Sequence, residues 1–466
     1  MKMDNTTQRV IQHLRVLAAG QAAGSRLPPV RALMREFGAG PVTVQRALDR
    51  LTHEGIIEAH PGRGTFVAGR APDGAAVLAD MAWQSVALGP GRSQAEALGA
   101  LAHVPPPHAV PLNAGYLSEA LQATSLLAAA ATRALRRQGL WGRMPIEGLH
   151  ALRAWFADAI GGSYRAHEVT ICPGSQSALA ASFRALANPG DPVLMESPTY
   201  IGAIAAARAA GLRPVPVPID RDGVRPELLA DAFRTSGARL FYCQPTYSNP
   251  TGAVLSAARR GAVLDLLREF GAFLIEDDWA RDFQLDSGTP PPALAADDRD
   301  GHVVYVRSVT KCAAPGLRIG VICARGPAHA RLRAARLTDD FFVPGLLQEI
   351  ALQLLTAPSW PRHLRWLRAA LRAQRDALVE ALRMHLGPDC LAHVPEGGLH
   401  LWVRLPDGTV DEDVAATCAR ADILVSSGRH WFPGEPEAPF LRVGFAAIPA
   451  EAADDAIARL AAIIRG

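Results

Sequence analysis

From about Leu112 to the C-terminus, short runs rich in β-branched and aromatic residues alternate with longer Ala/Leu/Arg stretches of helical period. Few folds accommodate that alternation. It predicts an α/β domain in which β–α–β units close around a mainly parallel central sheet. EVTI, PVLME, RLFYC, AFLI and HVVYVR are the strand-like runs. Ligands of such sheets sit beyond the carboxyl ends of the strands, so the residues that follow each run are the candidate site.

At 466 residues the chain is too long for one core, and two or three domains are expected. The net charge of +3 hides an uneven distribution: residues 1–70 carry ten Lys or Arg against five Asp or Glu, and the remainder is slightly acidic. A small basic unit joined to a large near-neutral one points to a nucleic-acid module on a metabolic type of domain. No apolar run reaches the length of a membrane span and the N-terminus has no apolar leader core, so a cytoplasmic protein is expected. Six scattered cysteines form no CxxC pair and no cysteine–histidine cluster, which predicts buried reduced thiols and neither a disulfide framework nor a metal site.

The basic segment reads as three helices and a hairpin. Val10, Ile11, Leu14 and Leu17 give helical spacing over residues 6–18. A second helix is entered through Pro28 and Pro29. A third begins at Pro41 and buries Val44, Leu48 and Leu51, because proline suits the first helical position. Two short helices joined by a Gly-containing turn make a helix-turn-helix, and two β-runs around residues 60–64 add a wing. The motifs LPPVR, TVQRALDRLTHEG and GRGTF, in that order, resemble the GntR family of winged-helix regulators. The resemblance implies double-stranded DNA as partner, with Arg31, Thr43, Gln45, Arg46, Gly62 and Arg63 at the interface. Arg31 and Arg63 suit phosphate or minor-groove contacts, and Gln45 suits a base edge. Gly40 and Pro41 stand where many members of that family have Ser or Thr followed by Arg.

Residues 70–111 read as a linker rich in Ala, Gly and Pro, helical over 93–102 and extended at Pro105, Pro106 and Pro107. The expected division is therefore 1–69, 70–111 and 112–466.

The chain has only two lysines, Lys2 and Lys311; every other fixed cation is Arg. A guanidinium cannot form an imine, whereas a desolvated lysine amine can, so an interior lysine in an arginine background points to amine chemistry. Other strand ends add complementary groups. A glycine turn opens a helix at Gly174, Ser175 and Gln176, whose backbone N–H groups suit a phosphate. Tyr200 follows PVLMESPT, Asn249 sits in an irregular Pro/Asn/Gly loop, and Glu276, Asp277 and Asp278 end a buried run, where one of them should meet a cation. Ser308 precedes Lys311, and Arg318 follows it. Singly, Ser175 would be an ordinary helix cap and Tyr200 an ordinary core aromatic. Together, a phosphate cradle, a ring stacker, an acid and one lysine are the set that pyridoxal 5'-phosphate requires.

GSQ, ESPTY, NPTG, EDD, SVTK with APGLRIG, PEGGLHLW and FLRVGFA also resemble, in order, the fold-type I aminotransferases of classes I and II. That resemblance implies that Lys311 forms the Schiff base with pyridoxal phosphate, Asp277 pairs with the ring nitrogen, Asn249 bonds the phenolic oxygen and Tyr200 covers the ring. Ser175, Gln176, Ser308 and Arg318 would hold the phosphate. Arg442 would clamp an effector carboxylate, with backbone near Gly115 closing the pocket. Trp279 and Trp141 stand where that group usually has tyrosine. The two halves in this order resemble the MocR subfamily of GntR regulators, which implies a head-to-tail homodimer that binds paired promoter sites and senses pyridoxal phosphate, or an amine or amino acid engaged with it. A catalytically active aminotransferase with an accessory DNA-binding module is the alternative.

Overall fold

In the computed structural model the described residues are 5–22, 24–60, 64–68, 82–88, 98–99 and 104–465. The chain divides into two compact units, Met1–Pro90 and Gly91–Gly466.

In the first unit, helices α1 (Asn5–Ala19), α2 (Val30–Phe37) and α3 (Pro41–His53) precede a hairpin of β1 (Ile57–His60) and β2 (Gly64–Val67). Pro41 occupies the first turn of α3, and Gly38 ends α2 in the left-handed conformation that closes helices. The three apolar stripes meet in one core built from Val10, Leu14, Leu33, Val44, Leu48 and Leu51. β1 and β2 pair antiparallel from Ile57↔Val67 to His60↔Gly64. Gly64 has φ +116, so this wing strand needs glycine for its backbone, and a Cβ there would lie 3.0 Å from Arg26 Nε. The wing residues Gly62 and Arg63 lie outside the described residues, as does most of the segment 70–111. Pro107 is not extended: Ala109 N–H donates to Pro106 O (3.0 Å), closing a turn with Pro107 at the position its fixed φ favours.

The second unit is built on an eight-stranded sheet. Its strands are β3 (Val169–Cys172), β4 (Pro192–Ser197), β5 (Arg213–Asp220), β6 (Gly223–Val224), β7 (Leu240–Cys243), β8 (Phe273–Asp277), β9 (Val303–Ser308) and β10 (Gly320–Cys323), in the order 3-10-9-8-7-4-5-6. Strands β9, β8, β7, β4 and β5 run parallel; β10 and β6 are antiparallel to their neighbours. β3, β7, β9 and β10 are buried along their whole length, as expected for strands covered on both faces by helices. A smaller antiparallel sheet, β11 (His400–Arg404), β12 (Ser426–Ser427) and β13 (Phe440–Gly444), has the order 11-13-12. All six cysteines are buried and free. Among the described residues no group of His, Cys, Asp and Glu could hold a metal ion, and no helix is long and apolar enough to cross a membrane.

Candidate functional site

The carboxyl ends of β3, β4, β7, β8 and β9 open onto one cavity. Gly115, Ser175, Tyr200, Asn249, Asp277, Lys311 and Arg442 line it, together with Tyr116, Gln244, Trp279 and His400.

Lys311 lies three residues beyond β9. Its Nζ donates to Gly115 O (2.6 Å) and sits 3.6 Å from the centre of the Tyr116 ring. Burial, followed by the Arg442 and Arg318 cations, pulls its amine down to about 7. A large share of the amine is therefore unprotonated, and nucleophilic, near neutrality.

The three acids at the end of β8 divide their duties. Glu276 accepts the N–H groups of Leu294 and Ala295 (both 2.8 Å), at the start of a short helix. Asp278 accepts from Arg281 (2.5 Å) and from the Tyr305 hydroxyl (2.6 Å). Only Asp277 lines the cavity. Its Oδ2 accepts from Tyr242 (2.8 Å) and Gln244 (2.9 Å), while its buried Oδ1 has no partner. Burial raises the Asp277 carboxyl to about 6, against the pull of the Tyr242 and Gln244 hydrogen bonds. Asn249 likewise keeps a buried, unpartnered Oδ1.

The helix Ser175–Leu186 starts behind Gly174, whose φ is +94. The φ of +94 is what calls for glycine here, and a Cβ would also lie 2.6 Å from Arg318 Nη2, so the Arg318 guanidinium would have to shift. Arg318 itself donates to Pro173 O (2.9 Å). Two other residues expected around a phosphate have visible duties elsewhere. Ser308 Oγ lies 2.8 Å from Thr310 Oγ1 and 2.9 Å from Ile319 O and accepts Thr310 N–H, ordering the loop that carries Lys311. Gln176 donates to Gly202 O (2.8 Å) and accepts the Tyr200 hydroxyl (3.1 Å), which buttresses Tyr200.

Arg442, on β13, is 2% exposed and has no carboxylate partner among the described residues. It donates to His400 Nε2 (3.0 Å) and to Asn113 O, and lies 4.4 Å from the Trp431 ring centre. Its Nε has no partner. Because a guanidinium only donates, His400 Nε2 is the acceptor and the proton of this imidazole sits on Nδ1. Burial, then Arg442 and Lys311, hold His400 well below the ordinary histidine range. A buried guanidinium without an acid beside it is costly to keep charged, and an outside anion would offset that cost.

The indole of Trp279 lines the cavity, but its N–H donates to Tyr247 O (3.1 Å). That donor is spent on the backbone, so Trp279 offers only a flat apolar face. Tyr116, Gln244, His400 and Trp431 are absent from the sequence-based set of site residues. His400 is the one with a signal, the imidazole within PEGGLHLW.

In the first unit, Arg31, Gln45 and Arg46 are exposed and Thr43 is partly so. Gln45 Nε2 donates to Asp49 Oδ1 (2.8 Å) along α3, and neither Arg31 nor Arg46 has an ion-pair partner among the described residues. Gly40 caps α3 without a side-chain hydrogen bond.

Residues 108–460 match the family described as aminotransferase class I and II, and residues 6–67 match the bacterial regulatory proteins of the gntR family. The chain is 28% identical to the probable rhizopine catabolism regulatory protein MocR of Rhizobium meliloti, over 85% of this chain and 80% of that protein. It is 29% identical to the vitamin B6 salvage pathway transcriptional repressor of Salmonella typhimurium, over 89% and 87%. Among solved structures, α-aminoadipate aminotransferase from Thermus thermophilus, complexed with N-(5'-phosphopyridoxyl)-L-leucine, superposes with a TM-score of 0.75 at 28% identity, covering 81% of this chain and 96% of that one. The large unit has the fold-type I aminotransferase architecture, a family that in general uses pyridoxal phosphate. The chain belongs to the class I and II aminotransferase family, in the MocR-type branch that joins this domain to a GntR winged helix.

The residues present fit that cofactor. Asp277 Oδ1, unpartnered in a buried site, suits a protonated ring nitrogen, and the Gly174 turn provides a cradle that a Cβ would obstruct. The lowered Lys311 value makes a prediction. The rate of cofactor attachment in rapid-mixing absorbance should rise with pH through about 7 and level off above it, whereas an ordinary lysine would keep gaining to roughly pH 10. A rate still climbing at high pH would show an amine that is not desolvated.

Proposed function

We propose that this chain is a cytoplasmic transcription regulator that binds paired promoter sites as a head-to-tail homodimer and responds to pyridoxal phosphate, or to an amine or amino acid engaged with it. The observation that carries this reading is the joining, in one chain, of a winged helix whose exposed Arg31 and Arg46 have no ion-pair partner among the described residues to a domain whose cavity gathers Asp277, Asn249, Tyr200 and Arg442 around Lys311. The two regulators it resembles, of which one is named for vitamin B6 salvage, support it.

When bound, pyridoxal phosphate supplies an electrophilic aldehyde carbon conjugated to an electron-withdrawing ring. The chain supplies the rest. Lys311 offers an amine that is substantially neutral at physiological pH. Asp277 presents a carboxylate oxygen, Asn249 an amide, and Tyr200 a ring held in place by Gln176. Ser175 and Arg318, with the backbone N–H groups of the helix start, suit the phosphate, and Ser308 fixes the loop behind it. Arg442, with the Gly115 backbone beside it, is set to hold the carboxylate of an amino-acid effector.

Trp279 favours sensing over turnover. A tyrosine at this place would bring a phenol to the ring oxygen, whereas the indole N–H is tied to Tyr247 O and Asn249 serves that oxygen alone. Proton transfer is then less finely tuned, which suits a complex that persists. The test mixes the pyridoxal-phosphate-loaded protein with a panel of amino acids and titrates a promoter fragment in parallel. A regulator should give a lasting spectral change and a shifted DNA affinity. Rapid conversion to pyridoxamine phosphate, with repeated turnover once a 2-oxo acid is added as amine acceptor and DNA affinity unchanged, would make it an aminotransferase instead.

A further inference from the structure

One buried amide joins the two residues that would address opposite edges of the cofactor ring. Gln244 follows β7 directly and is 2% exposed. Its backbone N–H donates to Glu196 Oε2 (2.8 Å), which fixes the residue at the end of β4. Its side-chain Nε2 donates to Asp277 Oδ2 (2.9 Å), and its Oε1 accepts Asn249 N–H (2.9 Å). The orientation of the amide is unambiguous. Reversed, its oxygen would face a carboxylate oxygen and its NH2 would face an N–H, so both contacts would be lost. With the Tyr242 hydroxyl also on Oδ2, that oxygen is saturated and Oδ1 is the one left without a partner.

We infer that Gln244 is a positioning residue that holds Asp277 and Asn249 in register, so that a single side chain sets how both the ring nitrogen and the phenolic oxygen of pyridoxal phosphate are met. The inference rests on the cofactor reading above. Only a primary amide of this length donates on one side and accepts on the other. Leucine of similar volume would strip Asp277 of one donor and orphan the buried Asn249 N–H. Loss of that donor favours the protonated Asp277 carboxyl, because the Gln244 bond acts to lower it. A neutral Asp277 no longer keeps the ring nitrogen charged, and a less electron-poor ring holds its covalently bound nitrogen's proton to higher pH.

The experiment titrates pyridoxal phosphate into the full chain and follows the visible band of the bound cofactor against pH. Q244L should weaken the dissociation constant by roughly ten- to a hundredfold and move the midpoint of the band upward by on the order of one pH unit. Q244E keeps the acceptor and loses the donor. It should bind poorly at pH 8 and recover toward the wild type as acid restores a proton for Asp277. Unchanged affinity and midpoint in Q244L would overturn the assignment while leaving the cofactor reading intact. If Q244L does not fold, Q244E decides, and an affinity without recovery at acid pH overturns it. A wild-type chain with no affinity for pyridoxal phosphate would overturn both.

Discussion

Replacing Lys311 with alanine should abolish covalent attachment of pyridoxal phosphate. Borohydride reduction followed by intact-mass measurement should add one pyridoxyl phosphate group to the wild-type chain and none to K311A. The expected effect is all or nothing because the sequence offers almost no substitute: the other lysine is Lys2, and every remaining fixed cation is a guanidinium that cannot form an imine. K311R is the control that separates charge from chemistry. It restores a cation near the Gly115 carbonyl and the Tyr116 ring, and should remain as unlabelled as K311A. The contacts proposed for Asp277, Asn249 and the Gly174 turn would remain in both variants, so reversible binding should persist, weakened. A K311A chain that takes the label as the wild type does would move the attachment elsewhere.

Removing residues 1–70 should eliminate binding to a promoter fragment, and Arg46→Ala in the full chain should reduce it. Arg46 is exposed on α3 with no ion-pair partner among the described residues, so it is available to DNA. If it reads a base, the alanine variant should lose roughly five- to a hundredfold in affinity for the cognate sequence alone. If it meets a phosphate, the loss should be uniform across sequences and the slope of log affinity against log salt should fall by about one. Fluorescence anisotropy at several salt concentrations distinguishes the two. Full affinity without residues 1–70 would transfer DNA recognition to the large unit.

The residues legible in the sequence are those whose role follows from a strand or helix end. Pro41 marks the start of α3, and Lys311, Asp277 and Asn249 all lie just beyond buried apolar runs, where polar groups need a purpose. What could not be read is the pairing across the chain. Lys311 meets the carbonyl of a residue 196 positions away, and Arg442 meets one 329 positions away. No local periodicity encodes such contacts. For the same reason the contacts of the Ser308 hydroxyl with Ile319 O and of the Trp279 N–H with Tyr247 O are visible only in the folded chain. Gln244 escapes notice because a glutamine after a strand is unremarkable; only the simultaneous presence of Glu196, Asp277 and Asn249 around it gives it meaning.

The contact between Arg442 and Asn113 also orders events in time. Domains fold as units, N-terminal ones first, while the ribosome delivers about 5–20 residues each second. The winged helix is complete by Val67 and buries its own core, so it is free to form early in translation. The large unit is different. Its first segment is tied to its last strand: Gly444 N–H donates to Leu112 O (2.6 Å) and Ser118 N–H to Ala446 O (3.1 Å), alongside the Arg442 bond to Asn113 O. Until β13 leaves the ribosome, residues 112–118 lack these partners and the Arg442 side of the cavity is missing. The winged helix can therefore form well before the cavity of the large unit is closed.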